Sequence, residues 1–220
     1  MQISIHEVGL TGASHRRGPS WFSLSQSEFL TVYTSGMANL ATELLLEDLG
    51  AKEGVSGERF ELIDGVAVAM TGASRRHNRV AGKFYRLLDD LAGPQGCETY
   101  IEGTRLQLAD DTFVYPVVMV TCEGNTDDYT VTAPCLVVEV LSPSTGWVDH
   151  GRKRTKYLAL PSLKHYLLVN IEDQSIEHYF RSDTANGWSF EIVDTETASS
   201  ATMNLTCPKG TIDLADVFQP

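Results

Sequence analysis

Four side chains in this sequence have the types and spacing to bring an acid and an amine to one point. Glu139 interrupts the apolar, β-branched run Leu136-Val137-Val138-Glu139-Val140-Leu141, which reads as a strand buried on both faces. An ionised carboxylate there is costly to bury unless a cation or hydrogen-bond donors meet it. Ser142-Pro143-Ser144 ends the strand. Beyond it Asp149, Lys153 and Tyr157 recur every four residues, which stacks them on one face of a helix over residues 149–159. A carboxylate on a strand and an ammonium on the next helix then converge where an ion could settle. The plainer alternative is a structural ion pair between Glu139 and Lys153 or Arg152. A lysine among Arg152, Arg154 and Lys156 is also, in most helices, part of a wet face.

The remaining elements must hold these groups in place. Phe60 to Met70 reads as a hairpin turning at Asp64-Gly65, with Glu61 near its start. Ser74 is placed to cap a helix whose Val80, Phe84, Leu87, Leu88 and Leu91 form one apolar stripe, ended by Gly93-Pro94. His77 falls in its first turn, where the helix dipole disfavours protonation, although a surface histidine is the commoner outcome. Strand-like runs follow at Glu98–Ile101, Thr104–Leu108 and Phe113–Cys122, as in an antiparallel meander. After the key strand and its helix come Leu163–Ile171, Ser175–Arg181, an edge strand at Trp188–Val193, and a closing segment Leu205–Phe218 with a short helix at Leu214–Phe218. The sum is an α+β domain with a mixed central β-sheet. Residues 1–36 lack a clear period, and Met37 stands just before the helix-like run MANLATELLLEDLG. The chain is therefore read as a domain of residues 37–220 behind an amino-terminal extension, residues 1–36, that is disordered or not native.

Composition narrows the setting. No run of about 18 apolar residues exists, so no membrane-spanning helix is expected, and the amino end lacks the pattern of a secretory signal. Cys97, Cys122, Cys135 and Cys207 are dispersed without zinc-site spacing, and three of them lie in apolar surroundings, which reads as small buried thiols in a reducing, cytoplasmic protein. A net charge of −12 argues against a protein that coats nucleic acid non-specifically. Nine of the 17 basic residues nevertheless fall in two places, Arg75, Arg76, Arg79, Lys83 and Arg86, then Arg152, Lys153, Arg154 and Lys156. On one side of the fold they would make a basic mouth; on separate helices they would be two solvated faces.

Several strings together resemble the Uma-type restriction endonuclease family of the PD-(D/E)xK nuclease superfamily, which is widespread in bacteria. They are Glu61-Leu62-Ile63-Asp64-Gly65, Ser74 with His77, Val137-Val138-Glu139-Val140-Leu141-Ser142-Pro143-Ser144-Thr145, Asp149-x-x-x-Lys153-x-x-x-Tyr157, and His165-Tyr166. The resemblance runs from about Met37 to Phe218. It implies a restriction endonuclease-like sheet flanked by helices, DNA as substrate, and Mg2+ or Mn2+ held by Glu139 and Glu61 beside Lys153. His77, Asp149 and Tyr157 are the implied supporting residues, Arg75, Arg76, Arg79, Lys83, Arg152, Lys153, Arg154 and Lys156 the expected DNA contacts, and a homodimer the implied form for cutting both strands. Lysine in that superfamily stands two residues beyond the glutamate; here that position is Leu141, so the ammonium comes from the helix. The superfamily's first acidic ligand follows a proline on the preceding strand, and here Tyr115-Pro116-Val117 puts valine in its place. Valine cannot ligate a cation, and Asp110 or Asp111 lies about 20 Å of extended chain away. Two readings follow: a metal-dependent endonuclease with an impaired site, or a catalytically degenerate nuclease-fold module that binds nucleic acid or a protein.

Overall fold

The apolar run around Glu139 forms the strand β8, Leu136–Leu141, and its neighbours explain its composition. In this computed structural model, which describes residues 59–70, 72–124, 127–141, 147–181, 187–194 and 202–219, β8 lies inside a six-stranded sheet. The side chains of residues 147–150 and 194 lie outside the described set, as does the whole of the expected extension and the run from Met37 to Gly50.

Three sheets account for thirteen strands among the described residues. The six-stranded sheet runs β11 (Trp188–Asp194), β10 (Ser175–Arg181), β9 (His165–Asn170), β8, β6 (Val118–Thr121), β3 (Glu98–Ile101). Only β8 and β9 pair in parallel within it, with Glu139 opposite Leu168. A parallel pair needs a crossover, and the helix α2, Trp147–Ala159, supplies it. The second sheet runs β2 (Val66–Ala69), β1 (Phe60–Ile63), β5 (Thr112–Val114), β4 (Arg105–Ala109), β7 (Thr130–Val131). The third is the hairpin of β12, Thr202–Thr206, and β13, Lys209–Asp213.

Alternation along β8 sends its residues to two cores. Leu136, Val138 and Val140 face the helix α1, Arg75–Ala92, through Val80, Phe84 and Leu88, together with Met203, Leu205 and Ile212 of the closing hairpin. Val137 faces the other way, among Ile63 of β1, Leu106 of β4, Val114 of β5 and Tyr157 of α2. Among the described residues one helix therefore lies on each face of the six-stranded sheet, and the five-stranded sheet shares the α2 face. The α+β class with a mixed central β-sheet flanked by helices, expected from the sequence, is the observed one.

Local signals hold well where they are self-contained. Asp64 and Gly65 both take positive φ, 53° and 73°, as a two-residue hairpin turn requires. Ser74 Oγ accepts a hydrogen bond from the His77 amide at 3.1 Å, capping α1. Other expectations need correction. The run Phe113–Cys122 is two strands, not one: Pro116 has no N–H to give a ladder, so β5 stops at Val114 and β6 begins at Val118 in the other sheet. Nor is there a meander, since β3 pairs with β6 and β4 with β5. The tail forms the β12–β13 hairpin and then turns at residues 215–218 in place of a helix. The cysteines are bonded rather than isolated thiols, Cys97 to Cys122 and Cys135 to Cys207.

Candidate active site

Three elements deliver one side chain each to the seam between the two large sheets. Glu61 comes from β1, Glu139 from β8 and Lys153 from α2, two turns into the crossover helix. Lys153 Nζ lies 2.6 Å from Glu61 Oε2 and 3.8 Å from Glu139 Oε1, so one ammonium joins two carboxylates that start 78 residues apart. Both glutamates are buried, at 5% and 4% exposure, which makes this a desolvated cluster where charge is felt strongly.

Further donors fix the carboxylates. Glu61 Oε1 accepts from the Tyr115 backbone N–H at 3.1 Å, the amide released from the sheet ladders where the chain passes between them. Glu139 Oε1 accepts from the Tyr157 hydroxyl at 2.7 Å. Tyr157 is fully buried, its ring tilted 31° to that of Tyr166 at 5.1 Å, and it follows Lys153 by four residues on the same helical face. Burial pushes the Tyr157 hydroxyl well above the usual phenol range, with the Glu139 and Glu61 charges adding to it, so it remains a donor. Burial also raises the Glu61 carboxyl above its ordinary value, Lys153 pulls it back, and the charge of Glu139 raises it again.

The other expected residues are more scattered. Asp149 belongs to α2, but its side chain lies outside the described residues, as does Ser142–Thr145. His77 is buried at 7% exposure, with Nδ1 lacking a hydrogen-bond partner among the described residues, and is no wet surface residue. Val117 directly precedes β6, and one further step of the Val118–Val138 register sets it opposite Glu139. Its side chain nevertheless packs with Val118 into the core on the α1 side, because the bend before β6 breaks the alternation. Asp110 and Asp111 are exposed in the β4–β5 turn, where the Asp111 carbonyl accepts from the Gly65 amide.

The two basic segments sit on helices packed against opposite faces of the sheet. Both helices still start at one end of it: Arg76 Nη2 donates to the Ile171 carbonyl at 2.8 Å, just past β9. Part of the charge is used internally. Lys156 pairs with Asp64 at 2.5 Å, Lys83 donates to the carbonyls of Asp216 and Gln219, and Arg154 donates to the Tyr179 hydroxyl at 2.9 Å. Arg75, Arg76, Arg79, Arg86 and Arg152 are exposed. Sequence reasoning missed the Tyr115 amide and the Lys156–Asp64 pair; neither has a sequence signature, since each depends on where two distant turns meet.

A family description matches this arrangement across most of the chain: residues 46–208 fit the Uma2 family, described as "Putative restriction endonuclease". The chain belongs to the Uma2 family. Two uncharacterized proteins of Synechocystis, sll1609 and slr1290, are 34% and 35% identical over 133 and 129 residues, covering 58% and 57% of this chain and 75% and 68% of theirs. The crystal structure of a putative nuclease belonging to DUF820 from Anabaena variabilis superposes with a TM-score of 0.59, covering 73% of this chain and 89% of that one. At 16% identity that likeness concerns the fold. Family and fold together place this Uma2 chain among nuclease-like proteins. No helix among its described residues is long and apolar enough to cross a membrane.

Proposed function

We propose that this Uma2 protein is a Mg2+- or Mn2+-dependent endonuclease that hydrolyses DNA phosphodiester bonds. The observation that carries the reading is the meeting of two buried carboxylates, Glu61 and Glu139, at one lysine. Two carboxylates against one ammonium leave excess negative charge in a desolvated place, and their oxygens are the donors a hard dication prefers. Magnesium commonly takes only one or two protein carboxylates and completes its shell with water and phosphate oxygens, so the missing aspartate at Val117 weakens the donor set without abolishing it. A bound dication would supply charge neutralisation at the phosphate and a more acidic water.

The chain's own residues have separable tasks. Tyr157, held protonated, orients Glu139 and takes no proton from it. Glu61, its carboxyl raised by burial, is better matched than an ordinary glutamate to accept the proton of an attacking water. Lys153 stabilises charge growing on the phosphate from the helix side. Exposed Arg75, Arg76, Arg79 and Arg152, at the end of the sheet where both helices begin, are the proposed backbone contacts. A homodimer would present two such sites for the two strands, which analytical ultracentrifugation with and without DNA tests.

Nicking of supercoiled plasmid tests the reaction. The wild type should nick with Mn2+ or Mg2+, and the near-isosteric Glu139→Gln should lose about 100-fold or more. The second reading, a degenerate module that binds DNA without cutting it, is favoured by Val117, apolar and buried where the superfamily carries an acid. Salt-sensitive DNA binding without nicking in either metal, and no manganese binding by calorimetry, would decide for it.

A further inference from the structure

The second cluster of reactive side chains lies at the other end of β8. Cys97 directly precedes β3 and Cys122 directly follows β6, one step past the Glu98–Thr121 pair, so the sheet register sets them face to face. Cys135 directly precedes β8 and donates its amide to the Val120 carbonyl at 2.8 Å. Cys207 lies in the turn between β12 and β13. The four sulfurs come together as two bridges in mutual contact: Cys122 Sγ is 3.4 Å from Cys207 Sγ and 3.9 Å from Cys135 Sγ. The sulfurs of Cys122, Cys135 and Cys207 all lie within 4.8 Å of one another.

We propose that these four cysteines, when reduced, form one tetrahedral thiolate site for a soft dication of the zinc class. Thiolates bound to zinc at about 2.3 Å in tetrahedral geometry sit about 3.8 Å apart, and the two separations from Cys122 to the other bridge, 3.9 and 3.4 Å, bracket that value. Two bridges that only stapled the fold would have no need to touch. Four separate strand ends and turns fix the sulfur positions, so the site is built by the sheet itself. Cys97 and Cys135 close it on the core side, at 8% and 7% exposure, while Cys122 is exposed. Cys122 also lines a cleft of about 340 Å³ with Glu98, Glu123, Asp127 and Asp128, whose carboxylates draw a cation toward the sulfurs. Sulfur ligands select zinc-class ions over magnesium, so this site and the carboxylate site do not compete for one metal.

The chemistry balances with a thiol or phosphine reductant. Each bridge takes two electrons from it and gives two thiols: with a phosphine, one water supplies both protons and its oxygen leaves as the phosphine oxide, and with thiols the reductant supplies both protons and ends as a disulfide. One dication then displaces four protons from the four thiols.

The full-length protein, reduced anaerobically with a water-soluble phosphine, is titrated with Co2+. The expected result is one equivalent bound, the d–d absorption of tetrahedral thiolate cobalt, its loss on adding Zn2+, and release of about four protons per metal. Cys122→Ser, at an exposed position, should weaken cobalt binding about 100-fold or more while circular dichroism stays native. Absence of the thiolate bands in folded, reduced protein would overturn the proposal. So would bridges that resist reduction until the chain unfolds, or a Cys122→Ser variant that binds cobalt as the wild type does.

Discussion

The two ends of β8 carry two kinds of cluster, and they differ in how the chain assembles them. At the carboxyl end, Glu139 meets Lys153 and Tyr157 through a crossover helix that begins six residues after the strand, and only Glu61 arrives from far away. At the amino end, roughly 13 Å away along the strand, the four cysteines lie at the ends of three strands and in a hairpin turn, spread over residues 97 to 207. A strand–helix–strand unit brings its groups together over short loops, so its periodicity can be read before any fold is known. Strand ends meet only once the pairing order is known. Oxygen and nitrogen groups at one end and sulfur at the other also give each end a separate chemistry on a shared scaffold.

The comparison breaks most visibly at Lys153. Lys153→Met leaves two buried carboxylates without their cation and should cost about 3 to 5 kcal/mol at neutral pH by urea unfolding, with the cysteine end unchanged in its thiol accessibility. Adding Glu61→Gln to that variant should restore most of the loss. The folded carboxyl of Glu61 is raised, so the stability it contributes is present below its unfolded value and is lost as pH rises through the folded one. Lys153→Met should therefore gain stability as the solution is acidified from pH 7 toward about pH 5. An unaffected midpoint would show that the ion cluster is not what holds this end together.

A slightly smaller effect is expected at Val117. Because its side chain packs in the core on the α1 side, Val117→Asp should cost about 2 to 4 kcal/mol and leave manganese affinity unimproved in calorimetry. Tighter manganese binding by that variant would show that the bend can turn the residue toward Glu139.

Acid sharpens the comparison from the other end. Thr206 N donates to His165 Nε2 at 2.9 Å, so His165 carries its proton on Nδ1, gives it to His178 Nε2 at 2.9 Å, and His178 Nδ1 gives its own to Glu191 at 2.8 Å. This chain of neutral imidazoles anchors the hairpin that bears Cys207. Burial, then His178 and Lys164, lowers His165 from 6.5 to about 3, and burial lowers His178 against the pull of Glu191. A depressed folded value means stability present above 6.5 and lost as pH falls toward about 3. Thermal melts should show a loss on the order of 2 to 3 kcal/mol near pH 4, removed in a His165→Gln variant. The smallest effect belongs to Lys156→Ala at the exposed Asp64 pair, expected below about 0.5 kcal/mol in the same melts.

What the sequence disclosed follows the same division. Glu139, Lys153 and Tyr157 were legible because a lone charge in an apolar strand and an interval of four each have a local meaning, and the Asp64-Gly65 turn and Ser74 cap were legible for the same reason. The break at Pro116 was written in the residue, but an apolar run on both sides of it hid the change of sheet. The cysteine cluster was illegible because no spacing in the chain encodes that β3 lies beside β6 and that β12–β13 closes over the end of β8. His165 and His178 likewise meet only through the register of β9 with β10.

The amide of Tyr115 that holds Glu61 has a consequence for how this protein tolerates change. That donor belongs to the main chain, so every replacement at position 115 preserves it except proline. A scan by alanine would pass over this anchor in silence, and evolutionary drift there would leave the acid's orientation intact. Part of the site is thus inherited through the path of the polypeptide, which lets its identity letters wander while its architecture does not.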